Sequence, residues 1–245
     1  MDARGLFEEF LGSLEARRAR ALEELGPEKA FHMLDVHGCV LLRLRECLVA
    51  EYEASELARR LLFSELTTSL SCLLWAQLAL LVANYPAAFR ELRYVMELAC
   101  RARLVDQLYP MAPLEHKIAK ALELERKRRG VVPTGWRLVK KALEGLQSFE
   151  LNRDERLRVR RTWLMLNRYA HPSPAGPIHE ASDLMWQLDE ELALELLRAS
   201  DVVFDVLFLL VLDAFPRIRA RAADTLLPRG WDDHLWMTYR FLRSL

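Results

Sequence analysis
Read for its apolar and polar positions and for the Gly and Pro that punctuate them, the 245-residue chain predicts eight to ten helices. The first, amphipathic, covers about 2–25 and stops at Gly26-Pro27, where a helix stop precedes a residue suited to the next helix's first turn. A second spans about 28–50, and a long third covers about 55–83, with 64–68 as the place for a break. Pro86 opens a helix over about 86–108 that Tyr109-Pro110 closes, and the next covers 113–129 with Gly130 as a left-handed cap. After the loop 130–135 comes a short helix ending near Phe149. Asn152 reads as an N-cap, with Asp154 and Glu155 suited to the positive end of a helix that runs through Arg168 or Tyr169. The segment 171–177, His-Pro-Ser-Pro-Ala-Gly-Pro, is the densest turn signal. Ser182-Asp183 starts the next helix, Pro216 interrupts or ends its successor, and 231–245 is a final amphipathic piece. No solenoid period and no low-complexity linker is found. The expected fold is all-α: one domain over 1–245, an antiparallel up-and-down helical bundle with additional terminal helices.

Two apolar runs stand out. From Leu66 to Phe89 there are 24 consecutive uncharged residues, enough by length to cross a bilayer. The run contains Thr67, Thr68, Ser69, Ser71, Gln77 and Asn84, so its strongly apolar part is only 73–83, which reads as a buried central helix rather than a membrane span. The other run, 202–215, carries Asp205 and Asp213 and reads as a core helix.

Composition agrees with helices: 49 Leu and 29 Arg stand against 3 Ile and 14 Val, so strand-favouring β-branched residues are scarce. Cys39, Cys47, Cys72 and Cys100 form no CxxC pair and lie in apolar helical runs, as reduced core thiols of a cytoplasmic protein do. The amphipathic, acidic start lacks the apolar core of a signal peptide.

Phosphate-loop, HExxH, nucleophile-elbow and CxxC signatures are absent, and no Glu stands three residues before a histidine. His32, Asp35 and His37 come close together, but five residues separate the two imidazoles where one α-helical face needs three or four. They therefore read as an ordinary polar helix face, and no metal or cofactor is expected. Chemistry concentrates instead in two stretches. Arg93, Glu97 and Arg101 recur at intervals of four, so two guanidiniums can hold one carboxylate. Asn167 and His171 are also four apart, and Pro172 places His171 at or just past a helix C-terminus, whose dipole favours imidazolium. Such a histidine donates a proton or contacts a phosphate more readily than it acts as a base.

These stretches carry a resemblance. Asn167-x-x-x-His171 resembles the second half of the RN-x-x-x-H motif of the HEPN superfamily (higher eukaryotes and prokaryotes nucleotide-binding domains). The 92–97 stretch, Leu-Arg-x-x-x-Glu, followed by Tyr-Ala-His-Pro-Ser at 169–173, resembles an uncharacterised prokaryotic branch related to it. The resemblance covers about 57–214, with extra helices at both ends. It implies a helical bundle that binds RNA or cleaves it without a metal, in a toxin–antitoxin or defence system, at a cleft usually shared by two subunits. Carried over by residue, His171 matches the motif His and Asn167 the motif Asn, while Leu166 stands at the motif Arg position. Arg168, Arg161 or Arg93 from the facing helix are the cations that would substitute for it. The candidate catalytic set is thus His171, Asn167, Arg168, Arg93 and Glu97.

Charge is balanced at 35 basic and 35 acidic side chains, yet unevenly placed. Between Glu115 and Arg161 there are 14 Lys/Arg and 7 Asp/Glu, and between Glu180 and Asp205 there are 8 acids and one Arg. Arg126, Lys127, Arg128 and Arg129, with Arg158 and Arg161 and the nearby Arg153, Arg156 and Arg160, could follow a phosphate backbone, with Trp136 and Trp163 for bases to stack on. Alternatively the basic and acidic segments face each other, within one chain or between two in a homodimer. Two function classes remain: an RNA-directed HEPN-like protein, or a noncatalytic interaction module in which Arg93, Glu97, Asn167 and His171 form a structural network.

Overall fold
The computed structural model describes residues 3–126, 135–170 and 189–245. All regular elements among them are helical. In order they are α1 (Ala3–Ala30), a π-turn (Met33–Gly38), α2 (Cys39–Glu51), α3 (Ala54–Leu57), α4 (Leu61–Leu81), α5 (Tyr85–Leu108), α6 (Leu114–Arg126), α7 (Trp136–Glu144), α8 (Arg153–Ala170), α9 (Glu190–Ala214), α10 (Arg219–Leu226) and α11 (Trp236–Leu242). Short 3₁₀ turns, Pro216–Ile218 and Leu227–Arg229, flank α10. The helix expected to start at Ser182-Asp183 and the loop expected at 171–177 lie outside the described residues.

Helices α4, α5, α8 and α9 form the bundle and alternate in direction. The start of α4 meets the end of α5, where Leu61 N donates to Asp106. Phe89 near the start of α5 stacks on Tyr169 near the end of α8. Tyr85 bonds Asp189 at one end and Arg103 bonds Asp213 at the other, so α5 and α9 run parallel, as alternate members of an up-and-down set must. The central helices are α5 and α9. From Val202 to Leu212 every residue of α9 is buried, which explains an apolar run without amphipathic relief. The expected central helix, α4, is instead one-sided: Leu73, Ala76 and Leu80 are buried, while Leu74, Trp75 and Leu78 are 46%, 64% and 52% exposed. Among the described residues α4 is the one helix long and apolar enough to cross a membrane.

Polar residues inside this core act as caps on other segments. Asp106 of α5 accepts from Leu61 N and Leu62 N at 3.0 Å, satisfying two of the amide groups that the first turn of α4 leaves free. It also binds Lys117 Nζ at 2.7 Å, and that ammonium is fully buried. The chain consequently breaks at 58–60 and not at the expected 64–68. Asp213 of α9 binds Arg103 at 2.6 Å and accepts from Gln147 N and Ser148 N. Asp205 accepts from Met237 N and Thr238 N at the start of α11.

Local caps follow the sequence. Asn152 Oδ1 accepts from Glu155 N while Glu155 Oε2 accepts from Asn152 N, a reciprocal cap on α8. Gly26 takes φ 75° and ends the regular part of α1, as its place before Pro27 predicts. The short helix predicted to reach Phe149 stops at Glu144, before Gly145. Of the four cysteines Cys47, Cys72 and Cys100 are buried, but Cys39 is exposed, a departure from the expected core thiol.

Candidate functional site
The Arg93–Glu97 pair forms as its spacing predicts. Arg93 Nε and Nη2 both donate to Glu97 Oε1 at 3.1 Å, and Arg101 lies 4.0 Å from Oε2. The pair is about one-fifth exposed, and the Arg93 guanidinium lies 5.4 Å from the ring centre of Trp163 on α8. It therefore couples α5 to α8. Trp163 is 1% exposed and is a core residue, not a stacking platform. Leu166, at the motif Arg position, is fully buried, so the helix turns that position into the core. Asn167 is half-buried and Arg168 exposed on the last turn of α8. His171 lies outside the described residues, as do Lys127, Arg128 and Arg129; Arg126 ends α6.

The basic segment divides by role. Arg158 covers the Trp236 ring at 3.9 Å, and Arg161 is exposed. Lys140, Arg153, Arg156 and Arg160 line a groove of about 1140 Å³ between α7 and the start of α8, with Trp136, Phe149 and Leu157. Glu144 and Glu150 also line it and pair with Lys140 at 3.5 Å and Arg156 at 2.9 Å. Arg153 and Arg160 are exposed without an acidic partner among the described residues. Four acids of the following acidic segment are turned elsewhere: Asp189 caps α9, Glu190 faces Lys29, and Asp201 and Asp205 are buried.

A third constellation was not expected from sequence. His32 and His37 share one site because the chain between them is a π-turn, in which Cys39 N donates to Leu34 O five residues back. That wider winding brings residues five apart onto one face, which an α-helix does not. The side-chain amide of Gln77 on α4 holds the Ala30 carbonyl just ahead of the π-turn. Both imidazoles converge on Asp201 of α9. His32 Nε2 lies 2.7 Å and His37 Nε2 3.1 Å from Oδ1, and His234, in the turn before α11, places Nδ1 3.1 Å from Oδ2. His37 is fully buried and stacks on Phe204 with ring centres 4.9 Å apart, unlike a residue of an ordinary polar helix face.

Protons can be placed from the partners. Ser200 Oγ–H donates to Leu197 O at 2.7 Å, so its oxygen accepts from His37 Nε2–H at 3.2 Å. Burial pushes the His37 imidazole below its ordinary value of 6.5 despite Asp201. Burial would raise Asp201, but hydrogen bonds from His32 and His37 outweigh it and hold the carboxyl well below the usual carboxylate range. Asp205, one turn on, lacks such imidazole donors; burial pushes it up to about 7 against its bonds to Thr238 and Met237.

A pH dependence follows with opposite signs. Because Asp205 is raised in the folded state, its contribution to stability is present below the ordinary carboxylate range and is lost as pH rises toward about 7. His37 is depressed, so its contribution is present above 6.5 and is lost as pH falls through its lower folded value. Asp205→Asn is expected to remove the falling limb between about pH 4 and 7 and leave a thermal midpoint that rises with pH over that window. A midpoint series whose shape is the same in both proteins would contradict this assignment.

The sequence offered one signal for this centre, the His32–His37 spacing, which a π-turn but not an α-helix makes cofacial. Asp201 is 169 residues from His32, and His234 is 33 further on, so nothing local pointed to them. No family model, curated protein or solved structure matches this chain.

Proposed function
We propose that this protein is an RNA-binding helical protein of HEPN-like type, contacting single-stranded RNA along the α7–α8 groove. The observation that carries the reading is the pair of exposed guanidiniums, Arg153 and Arg160, without an acidic partner among the described residues, in a groove that also presents Trp136. Guanidiniums neutralise phosphates and aromatic faces accept bases without regard to sequence. The resemblance of Asn167-x-x-x-His171 to the HEPN motif supports the same class, with Arg168 beside it as a further phosphate contact. In this reading His171 would protonate a leaving oxygen if the RNA is cut. The homodimer that the resemblance implies would have a natural contact on the exposed Leu74, Trp75 and Leu78 face of α4. The unpaired cysteines fit a cytoplasmic setting.

The test is fluorescence anisotropy with a labelled uridine oligonucleotide across a salt series. Arg153→Ala with Arg160→Ala is expected to weaken binding alike for all sequences and to reduce the salt slope by about 1.4, roughly 0.7 for each lost single-strand contact. His171→Ala is expected to leave binding in place and abolish any cleavage. Absence of binding at low salt, or binding indifferent to both arginines, would sink the proposal.

One observation favours the noncatalytic reading for part of the set. Arg93 and Glu97 bond each other, and Arg93 lies over the buried Trp163, which is what a helix-register device requires. We therefore assign Arg93 and Glu97 a structural role within the RNA-binding proposal, and leave nucleic-acid contact to the groove and the end of α8.

A further inference from the structure
We propose that His32 Nε2, Asp201 and His234 Nδ1 form a binding site for one divalent transition-metal ion of the zinc class, with His37 positioning the carboxylate from behind. Three separate chain segments, the entry to the π-turn, α9 and the turn before α11, deliver these groups. Their ligand atoms all lie within 4.8 Å of one another. Adjacent ligands on a tetrahedral zinc with bonds of about 2.0–2.1 Å stand about 3.3 Å apart. His32 Nε2 stands 2.7 Å from Oδ1 and His234 Nδ1 3.1 Å from Oδ2, each within about 0.6 Å of that spacing, so the two imidazoles flank the carboxylate and a rotation of its plane turns one oxygen toward both.

The donor set selects the ion. Two imidazoles and one carboxylate suit zinc, cobalt or iron(II), whereas magnesium and calcium take oxygen ligands. Binding replaces the N–H protons that His32 and His234 point at Asp201, so each imidazole shifts its proton to its other nitrogen and presents a lone pair to the metal. The carboxylate is already held for this role. His37 Nε2–H is shared between Oδ1 at 3.1 Å and Ser200 Oγ at 3.2 Å, and its ring stacks on Phe204, an outer-shell arrangement that orients a ligating carboxylate. Access is from the His234 side, whose side chain is 39% exposed against 13% for His32, so the fourth position opens toward water. A structural zinc takes four protein ligands; the three found among the described residues are the number that holds an ion which also binds a water or an exogenous group.

The ion would tie together segments far apart in sequence, and because it binds the folded state it raises the melting temperature. The test uses the full chain, stripped with a chelator and dialysed into zinc-free buffer, and stands independently of any RNA result. Calorimetric titration with zinc is expected to show one equivalent bound, unaffected by millimolar magnesium, with a raised melting temperature. His234→Ala and Asp201→Asn are each expected to weaken binding at least about a hundredfold, His37→Ala about ten- to a hundredfold, and His116→Ala not at all. If a variant fails to fold, cobalt added to the wild-type protein supplies the second measurement. Tetrahedral ligand-field bands, with imidazole proton shifts at His32 and His234 but not at His116, are expected. No stoichiometric binding, binding equal in wild type and His234→Ala, or cobalt signals without shifts at His32 and His234 would each overturn the site.

Discussion

Asp106→Ala is expected to destabilise the protein by about 3–5 kcal/mol, the cost of leaving one member of a buried ion pair alone. Lys117 is fully buried and its ammonium has two partners, Asp106 Oδ1 at 2.7 Å and the Arg59 carbonyl at 2.6 Å. Removing the carboxylate leaves that charge beside a single neutral acceptor, and it also strips Leu61 N and Leu62 N of their acceptor at the start of α4. At about 2–4 °C per kcal/mol for a chain of this size, the melting temperature should fall by roughly 6–20 °C. The double variant Asp106→Ala/Lys117→Met removes the stranded charge along with its partner, so it should recover part of the loss. A thermal or urea double-mutant cycle reads both. A single variant within about 2 °C of wild type would show that the pair does not hold α4 in place.

The second large effect is expected at Asp213, again about 3–5 kcal/mol on replacement by Ala. Its side chain is fully buried and answers Arg103, itself 6% exposed, at 2.6 Å, while its other oxygen accepts from Gln147 N and Ser148 N. Those two residues lie in the wall of the basic groove, so the substitution joins stability to the proposed RNA contact. Under conditions where Asp213→Ala is still folded, amide exchange at Gln147 and Ser148 should accelerate and RNA affinity should drop. Loss of stability with unchanged exchange at these amides would show that Asp213 serves Arg103 alone. Asp213 touches no groove ligand itself; it positions the backbone that does the lining.

Much of the helix pattern could be read from the chain because its causes are local. Gly26 stops α1, Asn152 and Glu155 cap α8, Pro86 sits in the first turn of α5, and Arg93 meets Glu97 one turn on. Each depends on residues within about a turn of one another, where spacing alone sets proximity. Other features depend on residues far away. The break before α4 lies at 58–60 because a carboxylate 45 residues on captures the Leu61 amide. Trp136 and Trp163 look alike in sequence, yet one lines the groove and the other is sealed between α5 and α8.

What the sequence determined by itself is therefore the all-helical class, most helix ends and the two unlike charge segments. These follow from backbone geometry, local hydrogen bonds and side-chain periodicity. Tertiary structure alone decided that Asp201, Asp205 and Asp213, three acids of α9, have three different tasks: receiving three imidazoles, capping α11 and holding Arg103 with the 147–148 loop. The physical reason is that burial makes every unpaired donor or charge costly, so each carboxylate's task is set by the donors brought against it when the helices pack. The same holds for the histidine centre. A spacing of five becomes a shared face only where packing against α4 and α9 accommodates a π-turn.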